Sequence, residues 1–233
     1  MRVSDRVAEL LAEFGIKHVF MVTGGGAMHL NDALGRNQTL KVINMHHEQS
    51  CSMAADGYAR TNNLMACVNV TTGPGGINAI NGVFGAWTDS VPMFVVSGQV
   101  KRETLNFDNS KLRQLGDQEN NIVSMVKNIT KFSYILKNPN YVDDVVSKAL
   151  KIASTGRPGP VWIDIPIDIQ GAPYEKSKQI KLDRLSIPRV KKVDKSTINK
   201  VVRLIQNSKR PAILVGGGIR ASGAHKEFLK FIN

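Results

Sequence analysis

Glu48 is the residue of this sequence whose neighbours point most directly to chemistry. It opens the stretch EQSCSMAADGYAR (48–60), in which one acidic side chain is followed mainly by small residues. Small side chains let other backbones come close, so the stretch predicts a tightly packed helix with Glu48 at a buried edge. A carboxyl group at such an edge can share or donate a proton. Position alone leaves a second interpretation open, in which Glu48 is an N-cap or first-turn acid stabilised by the helix dipole.

Two glycine-rich turns could receive polar groups of a ligand. The loop TTGPGG (71–76) is the more specific, because Gly73 and Pro74 fix an unusual backbone path and the amides of the following helix can receive an acceptor. The run at 216–218 fits G-x-G-x-x-A together with Ala221. The sequence ends before the acidic residue that a dinucleotide fingerprint places about 20 positions later. A plain tight turn is therefore favoured there over a nucleotide cradle.

The remaining reactive side chains do not predict a metal site or a cysteine nucleophile. His46 and His47 adjoin Glu48, but adjacent residues seldom converge on one ion and no partner cluster follows. Cys51 has no histidine base placed by any motif, so a small core residue is favoured. Cys51 and Cys67 are the only cysteines and show neither a disulfide framework nor zinc-ligand spacing. We therefore expect a reducing cytoplasm as the compartment.

The net charge of +12 at first suggests a nucleic-acid-binding protein. Residues 1–175 contain 16 basic and 16 acidic side chains, whereas residues 176–233 contain 15 basic and 3 acidic ones, so all of the excess lies in the last quarter. No aromatic side chain is interleaved with these charges, and no helix-turn-helix or RNA-binding motif is visible. A solvated linker and a basic-faced helix are therefore favoured over a polyanion site.

Short apolar runs alternate with helical patterns over most of the sequence, as is typical of parallel strands joined by crossover helices. With 42% hydrophobic residues, the chain is predicted to form an α/β fold, a three-layer α/β/α sandwich with a mainly parallel sheet. Four strands lead into polar or glycine-rich loops at 23–26, 46–49, 71–76 and 97–99. Ligands bind beyond the carboxyl ends of such strands, so we expect these loops to line one cavity with Glu48 inside it. The predicted strands are 18–22, 41–45, 65–70, 92–97 and 161–165.

The two ends of the sequence contain different patterns. Residues 1–16 are amphipathic, unlike a signal peptide, and no run approaches the roughly 20 apolar residues of a membrane span. Residues 173–195 are rich in lysine and contain two prolines, which indicates a linker. A helix at 198–205 and then a strand, the glycine turn and another helix predict the first part of a Rossmann-like domain over 196–233. Because so short a segment cannot close a doubly wound sheet, we expect a fragment or a truncated product.

Five motifs occur in order along the sequence. They are VFMVTGGGAMHLNDAL (19–34), HHEQSCSMAADGYAR (46–60), TTGPGGINAINGVFGAWTDSVPMFVVSGQV (71–100), DQE (117–119) and RPGPVWIDIPIDIQ (157–170). Together these motifs resemble the N-terminal pyrimidine-binding domain of thiamine-diphosphate enzymes, particularly the acetolactate synthase (acetohydroxyacid synthase) group. The resemblance implies a thiamine-diphosphate-binding fold over residues 1–172, followed by the start of the family's central domain.

The resemblance implies roles for individual residues. In the family, the glutamate matching Glu48 hydrogen-bonds the aminopyrimidine and favours the imino tautomer that removes the C2 proton of the thiazolium. The resulting ylid attacks a 2-oxo acid, carbon dioxide leaves, and carboligation follows. The glutamine matching Gln118 lies near the reacting carbon, so the implied catalytic residues are Glu48 and Gln118. The implied cofactor-binding residues are Gly25, Gly26, Glu48, Thr72, Gly73, Pro74 and Asn78.

The resemblance also implies cofactors and partners. Family members hold the diphosphate through Mg²⁺ in a third domain with a Gly-Asp-Gly motif, which does not occur here, so no metal ligand is predicted in this chain and no turnover is expected from it alone. The active site lies between subunits, which implies a homodimer or homotetramer acting on a small 2-oxo acid, away from membranes. The residues do not indicate whether the central domain holds FAD. A non-catalytic subunit or one half of a split enzyme is the alternative.

Several positions depart from the synthase pattern. Val22 and Thr23 replace the usual Tyr-Pro before the glycine turn, and His29 replaces a proline, so this histidine is either a proton-transfer group near the pocket or a structural residue. Asp117 stands where an aromatic residue is usual, and Ile167 stands where a lysine is usual. We expect these last two changes to affect the substrate entrance, which leaves open a paralogous decarboxylase or lyase acting on another 2-oxo acid or a sugar-linked substrate.

Overall fold

A computed structural model of the protein describes residues 1–107, 111–176 and 192–232. The chain divides into two compact units, Met1–Ser186 and Ile187–Asn233. Most of the predicted linker at 173–195 lies outside the described residues. The domain boundaries at 172 and 196 therefore stay predictions.

The described residues of the first unit contain one six-stranded sheet in which every pairing is parallel, in the order β2-β1-β3-β4-β6-β5. The predicted α/β fold is confirmed, and the five predicted strands are present. The sixth strand, β5, was not predicted, and its residues are half-buried throughout. The strands are β1 His18–Met21, β2 Lys41–Asn44, β3 Ala66–Val70, β4 Met93–Gln99, β5 Phe132–Ile135 and β6 Pro160–Pro166.

Helices cover both faces of this sheet and give the predicted three layers. Alternate side chains of β4 enter opposite cores: Phe94 packs with one cluster and Val95 with the other, as the two-residue period of a strand requires. Helices α1, α2 and α6 bury their apolar stripes on the first face, while α3, α4 and α5 cover the second. The helices are α1 Val3–Phe14, α2 Met28–Arg36, α3 Glu48–Asn62, α4 Pro74–Thr88, α5 Ile122–Val126, α6 Val142–Ser154 and α7 Ile167–Gly171.

The second unit is helical in its described residues. Helix α8, Lys195–Gln206, confirms the helix predicted at 198–205, and α9 (Gly218–Ala221) and α10 (His225–Ile232) follow it. The strand predicted before the glycine run at 216–218 is wrong, since no strand is present between α8 and α9. An apolar run becomes a strand only when a neighbour accepts its backbone hydrogen bonds, and the described residues of this unit contain none.

In the described part of the chain, every helix is too short or too polar to cross a membrane.

Asp164 is a fully buried acid on β6, the strand that lies between β4 and β5. Ser97 Oγ donates a hydrogen bond of 2.6 Å to its Oδ1, and Gln99 Nε2 donates one of 2.9 Å to its Oδ2. Trp162 Nε1 in turn donates to Ser97 Oγ over 2.8 Å. Burial raises the pKa of Asp164 to about 7, and the hydrogen bonds from Ser97 and Gln99 offset only part of that effect.

Asp164→Asn is expected to flatten the pH dependence of stability between about pH 4 and pH 7. An unfolded aspartate loses its proton near pH 4, whereas folded Asp164 keeps it to about pH 7. Since the folded state binds more protons in that window, this group lowers the free energy of unfolding as the pH rises, and the asparagine variant lacks the effect. Urea unfolding at several pH values measures it, with exposed Asp89→Asn as the control. Identical profiles for wild type and Asp164→Asn would contradict the assignment.

Candidate active site

The glycine turn after β1 lies directly against the loops that follow β3 and β4. A β-carbon added at Gly26 would lie 3.0 Å from Cβ of Thr72 and would overlap its hydroxyl. On β4, a β-carbon at Gly98 would overlap the carbonyl oxygen of Gly26 and lie 2.6 Å from the backbone nitrogen of Ala27. Real β-carbons do not approach backbone atoms so closely, so position 98 requires glycine, whereas a side chain at position 26 would force the Thr72 side chain to shift. Three segments distant in sequence therefore meet at the carboxyl edge of the sheet.

Side chains from three other elements hold this turn in place. Gly26 N donates to Thr71 Oγ1 over 3.1 Å, and Gln170 Nε2 donates to the carbonyl oxygen of Gly26 over 2.8 Å. Asn31 Nδ2 donates to the carbonyl oxygen of Gly24 over 3.2 Å. The turn is thus fixed from α2, the β3 loop and α7, and its backbone is presented in one conformation.

The TTGPGG loop turns sharply at Gly73 and contacts the segment that carries Gln118. Gly73 has a φ of +62° and Gln118 a φ of +60°, and L side chains rarely adopt a positive φ. A β-carbon at Gly73 would lie 2.5 Å from the carbonyl oxygen of Gln118. Pro74 then begins α4, at the position where a helix needs no amide donor. The close contact explains why glycine is needed at position 73.

A cavity of about 600 Å³ opens where these loops meet. Four of the predicted site residues line it: Gly25, Gly26, Thr72 and Gln118. Its wall includes residues following β1, β3, β4 and β6, so the loops predicted at 23–26, 71–76 and 97–99 do share one cavity. The other four predicted site residues, Gly73, Pro74, Asn78 and Glu48, do not line this cavity. They lie in the adjacent turn and at the starts of α3 and α4.

The expectation that the 46–49 loop lines this cavity is wrong. In the sheet order, β2 lies beyond β1, whereas the cavity lies over β1, β3, β4 and β6. The loop that follows β2 does not line the cavity, and Glu48 lies outside it, beside Gly75. It lies instead on the other flank of the TTGPGG turn.

Glu48 is partly buried and is the first residue of α3. Its Oε2 accepts a hydrogen bond of 3.0 Å from Asn78 Nδ2, and its Oε1 lies 3.4 Å from the place a β-carbon of Gly75 would occupy. His47 caps the helix, with Nδ1 accepting from the Gln49 amide over 3.1 Å. Glu48 is thus a first-turn acid, and it also touches the start of α4. The two interpretations of Glu48 are compatible.

The small residues after Glu48 pack α3 against α4, as predicted. A β-carbon at Gly82 would lie 2.7 Å from the backbone nitrogen of Met53. Cys51 is buried, and burial together with the charge of Glu48 raises the pKa of its thiol to about 12. A thiol with so high a pKa is not a nucleophile near neutral pH, which supports the structural interpretation of Cys51.

His29 does not line the cavity. Its Nδ1 lies 3.4 Å from Nη1 of Arg2, and its ring would meet a β-carbon at Gly171. His29 is therefore favoured as a structural residue over a proton-transfer group. Within residues 1–107, 111–176 and 192–232, no group of three or more His, Cys, Asp or Glu side chains is arranged to hold a metal ion.

Comparison with known proteins identifies the family. The model of the thiamine pyrophosphate enzyme N-terminal TPP binding domain matches residues 1–125. The chain belongs to the thiamine pyrophosphate enzyme family. The model of the family's central domain matches residues 198–233.

Relatives of this thiamine pyrophosphate enzyme chain include acetolactate synthases, which confirms the resemblance to that group. The acetolactate synthase large subunits of Haemophilus influenzae and Buchnera aphidicola are each 35% identical to it, over 98% of the chain and 39% of the relative. A chloroplastic acetolactate synthase of Arabidopsis thaliana is 34% identical over 92% of the chain and 31% of the relative. The chain thus spans less than two fifths of the length of these relatives.

The residues around the cavity fit the ring portion of thiamine diphosphate. Thr72 Oγ1 is buried, lines the cavity, and has no hydrogen-bond partner among the described residues. Leaving a buried hydroxyl unpaired costs about 1–3 kcal/mol, so the site is suited to a ligand atom that pairs with it. The neighbouring wall combines glycine backbone with the apolar side chains of Val100, Leu115 and Ile167. Such a mixture suits a flat heteroaromatic ring with polar edges.

Sequence reasoning missed the residues that position this thiamine pyrophosphate enzyme site. Asn31, Thr71 and Gln170 hold the glycine turn, and Gln99 and Asn120 tie the Gln118 segment to the sheet. All except Asn120 fall inside the motifs that carry the family resemblance. Their positioning roles depend on contacts between distant segments, which no local pattern shows.

Proposed function

We propose that this chain supplies the pyrimidine-binding half of the active site of an acetolactate synthase-like enzyme, which decarboxylates a 2-oxo acid and joins the product to a second carbonyl compound. The observation that best supports this is the convergence of Gly26, Thr72 and Gln118 on one cavity, with Glu48 on the other flank of the same turn. Thiamine diphosphate, when bound, supplies the electron sink for this chemistry. The chain's residues bind and orient it.

Glu48 is the proposed acid–base group for the ring. Asn78 holds one of its carboxylate oxygens, which leaves the other beside Gly75 at the start of α4. We assign Gln118 to the substrate carbonyl, because it lines the cavity. The proposed cofactor-binding residues remain Gly25, Gly26, Glu48, Thr72, Gly73, Pro74 and Asn78.

A second copy of the chain is the proposed partner, in a homodimer or homotetramer. Helix α4 exposes Ile77, Phe84 and Trp87, which recur along one face, and Met53 of α3 is exposed as well. Exposed apolar patches of this kind often mark protein interfaces. Covering this face would also remove the partly buried Glu48 from water, which is the environment that its proposed role needs.

The substrate and the remaining cofactors are also proposals. Mg²⁺ would hold the diphosphate through a third domain of the kind the family resemblance implies, and no residue here is assigned to FAD. A cytoplasmic location remains the expectation from the two buried free cysteines. Asp117, Ile167 and Lys101 line the cavity. Asp117 and Ile167 are departures from the synthase pattern. Their position at the cavity supports a second candidate function, that of a paralogue acting on another 2-oxo acid or a sugar-linked substrate.

Turnover of 2-oxo acids tests the proposed function. The complete polypeptide that carries this chain, supplied with Mg²⁺ and thiamine diphosphate, is expected to release carbon dioxide from pyruvate or from another member of a panel of 2-oxo acids. The 233-residue chain alone is expected to release none. If the complete polypeptide binds the cofactor but consumes no 2-oxo acid, the enzymatic assignment is wrong and the non-catalytic subunit is favoured.

A further inference from the structure

Glu119 is a buried carboxylate next to Gln118 that contacts backbone rather than a ligand. Only 9% of its surface is exposed. Its Oε2 accepts hydrogen bonds from the amides of Leu115 (2.8 Å) and Gly116 (3.0 Å), and its Oε1 accepts one from the amide of Asn106. One side chain thus joins backbone on both sides of the segment between β4 and α5.

Residues 111–118 of that segment bury little side-chain surface. Residues 111–115 and 117–118 are exposed, including the apolar side chains of Leu112 and Leu115. Burial of apolar surface therefore contributes little to the conformation of this stretch. Gly116 packs against Val100, and the amides of Leu115 and Gly116 donate to the Glu119 carboxylate. Nearer β4, Arg102 anchors the segment separately by donating to Asp168 and to the carbonyl oxygen of Lys137.

The ionised form of Glu119 is the one that this arrangement needs. Burial acts to raise its pKa, but the hydrogen bonds from the amides of Leu115, Asn106 and Gly116 outweigh burial and lower the pKa below its usual value. A carboxylate can accept at two oxygens, whereas a glutamine side chain has one acceptor and two donors. Glutamine would therefore turn an N–H group toward an amide donor at one of the two positions.

The position of Glu119 in the chain connects it to the cavity. Gln118 has a positive φ, and its carbonyl oxygen lies against Gly73, so a small shift of the segment would move its side chain. On the other side, Asn120 Nδ2 donates to the carbonyl oxygen of Gly73 over 3.4 Å, and Gln99 Nε2 donates to the carbonyl oxygen of Asn120 over 2.8 Å. Gln118 is thus held between two polar anchors.

We propose that Glu119 is a positioning residue that holds Gln118 at the cavity by clamping the backbone amides of Asn106, Leu115 and Gly116. The consequence for turnover rests on the proposed function, whereas the clamp itself does not. Glu119 acts through the backbone and does not line the cavity.

Amide hydrogen exchange of Glu119→Gln tests the clamp without any cofactor. At neutral pH, the protection of the amides that face the new NH₂ group, either that of Asn106 or those of Leu115 and Gly116, is expected to fall roughly tenfold or more, because their acceptor is lost. In the wild type, the same protection should be lost as the pH falls through the lowered pKa of Glu119, whereas Glu119→Gln should show no such step. Glu119→Asp, which keeps both oxygens, should restore part of the protection and its acid step. Exposed Glu13→Gln is the control. Unchanged protection in Glu119→Gln would overturn the clamp.

Kinetics of the complete polypeptide, loaded with Mg²⁺ and thiamine diphosphate, test the positioning role. Glu119→Gln is expected to lower kcat for the 2-oxo acid by about tenfold to a hundredfold, with cofactor affinity nearly unchanged, and Glu119→Asp should recover part of it. Loss of protection with an unchanged kcat would overturn the positioning of Gln118. Loss of protection in a polypeptide whose wild type has no turnover would contradict the proposed function and leave the clamp supported.

Discussion

Glu48→Gln is expected to slow hydrogen exchange at C2 of bound thiamine diphosphate by about 10²- to 10⁴-fold, the usual contribution of a positioned acid or base. The glutamine keeps the shape of the side chain, and its carbonyl oxygen can still accept the hydrogen bond from Asn78. It cannot hold or release a proton. The fold should be preserved, because Glu48 is only partly buried and packs at the first turn of α3.

Exchange at C2 is measured by NMR after acid quenching of the complete polypeptide loaded with Mg²⁺ and thiamine diphosphate. Glu13→Gln, an exposed glutamate of α1, provides a matched change of charge outside the site. Cofactor affinity measured in parallel separates a lost proton transfer from a lost binding site. An exchange rate equal to that of wild type, at equal cofactor occupancy, would show that Glu48 does not have the proposed role.

Gly98→Ala is expected to lower the free energy of unfolding by about 3 kcal/mol or more, at the upper end of the range for overpacking. The added β-carbon would overlap the carbonyl oxygen of Gly26 and lie 2.6 Å from the nitrogen of Ala27. Both are backbone atoms, so no rotation of a side chain can relieve the contact. Either β4 or the glycine turn must move, and we expect cofactor affinity to fall with stability.

Gly35→Ala is the matched control for this prediction. In the described part of the chain, nothing lies within 4 Å of the place its β-carbon would occupy on α2. Alanine in a helix is favoured over glycine by about 1 kcal/mol, so this variant should be equal to or slightly more stable than wild type. Urea unfolding followed by the fluorescence of buried Trp162 compares the two variants. Equal stability of both would mean that the turn and β4 are not in close contact.

The central strands could be predicted from the sequence because β3, β4 and β6 are buried on both faces. Such strands are continuous apolar runs and are recognisable without knowledge of their neighbours. The edge strand β5 has the residues FSYI and is half-buried throughout, so its pattern is weak. The apolar run before 216–218 shows the opposite error, since it has a strand's composition but no neighbour to pair with among the described residues.

As with the strands, part of the site could be predicted from the sequence and part could not. Gly26, Thr72 and Gln118 were selected from motifs, and the structure brings them to one cavity. Glu48 was expected inside that cavity and lies beside it, on the far side of the TTGPGG turn. The role of Glu119 was not predicted, because an acidic residue in a polar loop has no pattern that distinguishes it from a solvated one.

The sequence by itself determined the family, the parallel α/β class and four residues that line the cavity, namely Gly25, Gly26, Thr72 and Gln118. These properties depend on which residues occur and on their spacing within short stretches of the sequence. Only the tertiary structure decided that β2 lies beyond β1, that Gly98 meets Gly26, and that one carboxylate, Glu119, joins the amides of Asn106 and Leu115. The physical reason is that strand order and loop contacts depend on the packing of segments far apart in the chain, and a local pattern carries no information about that packing.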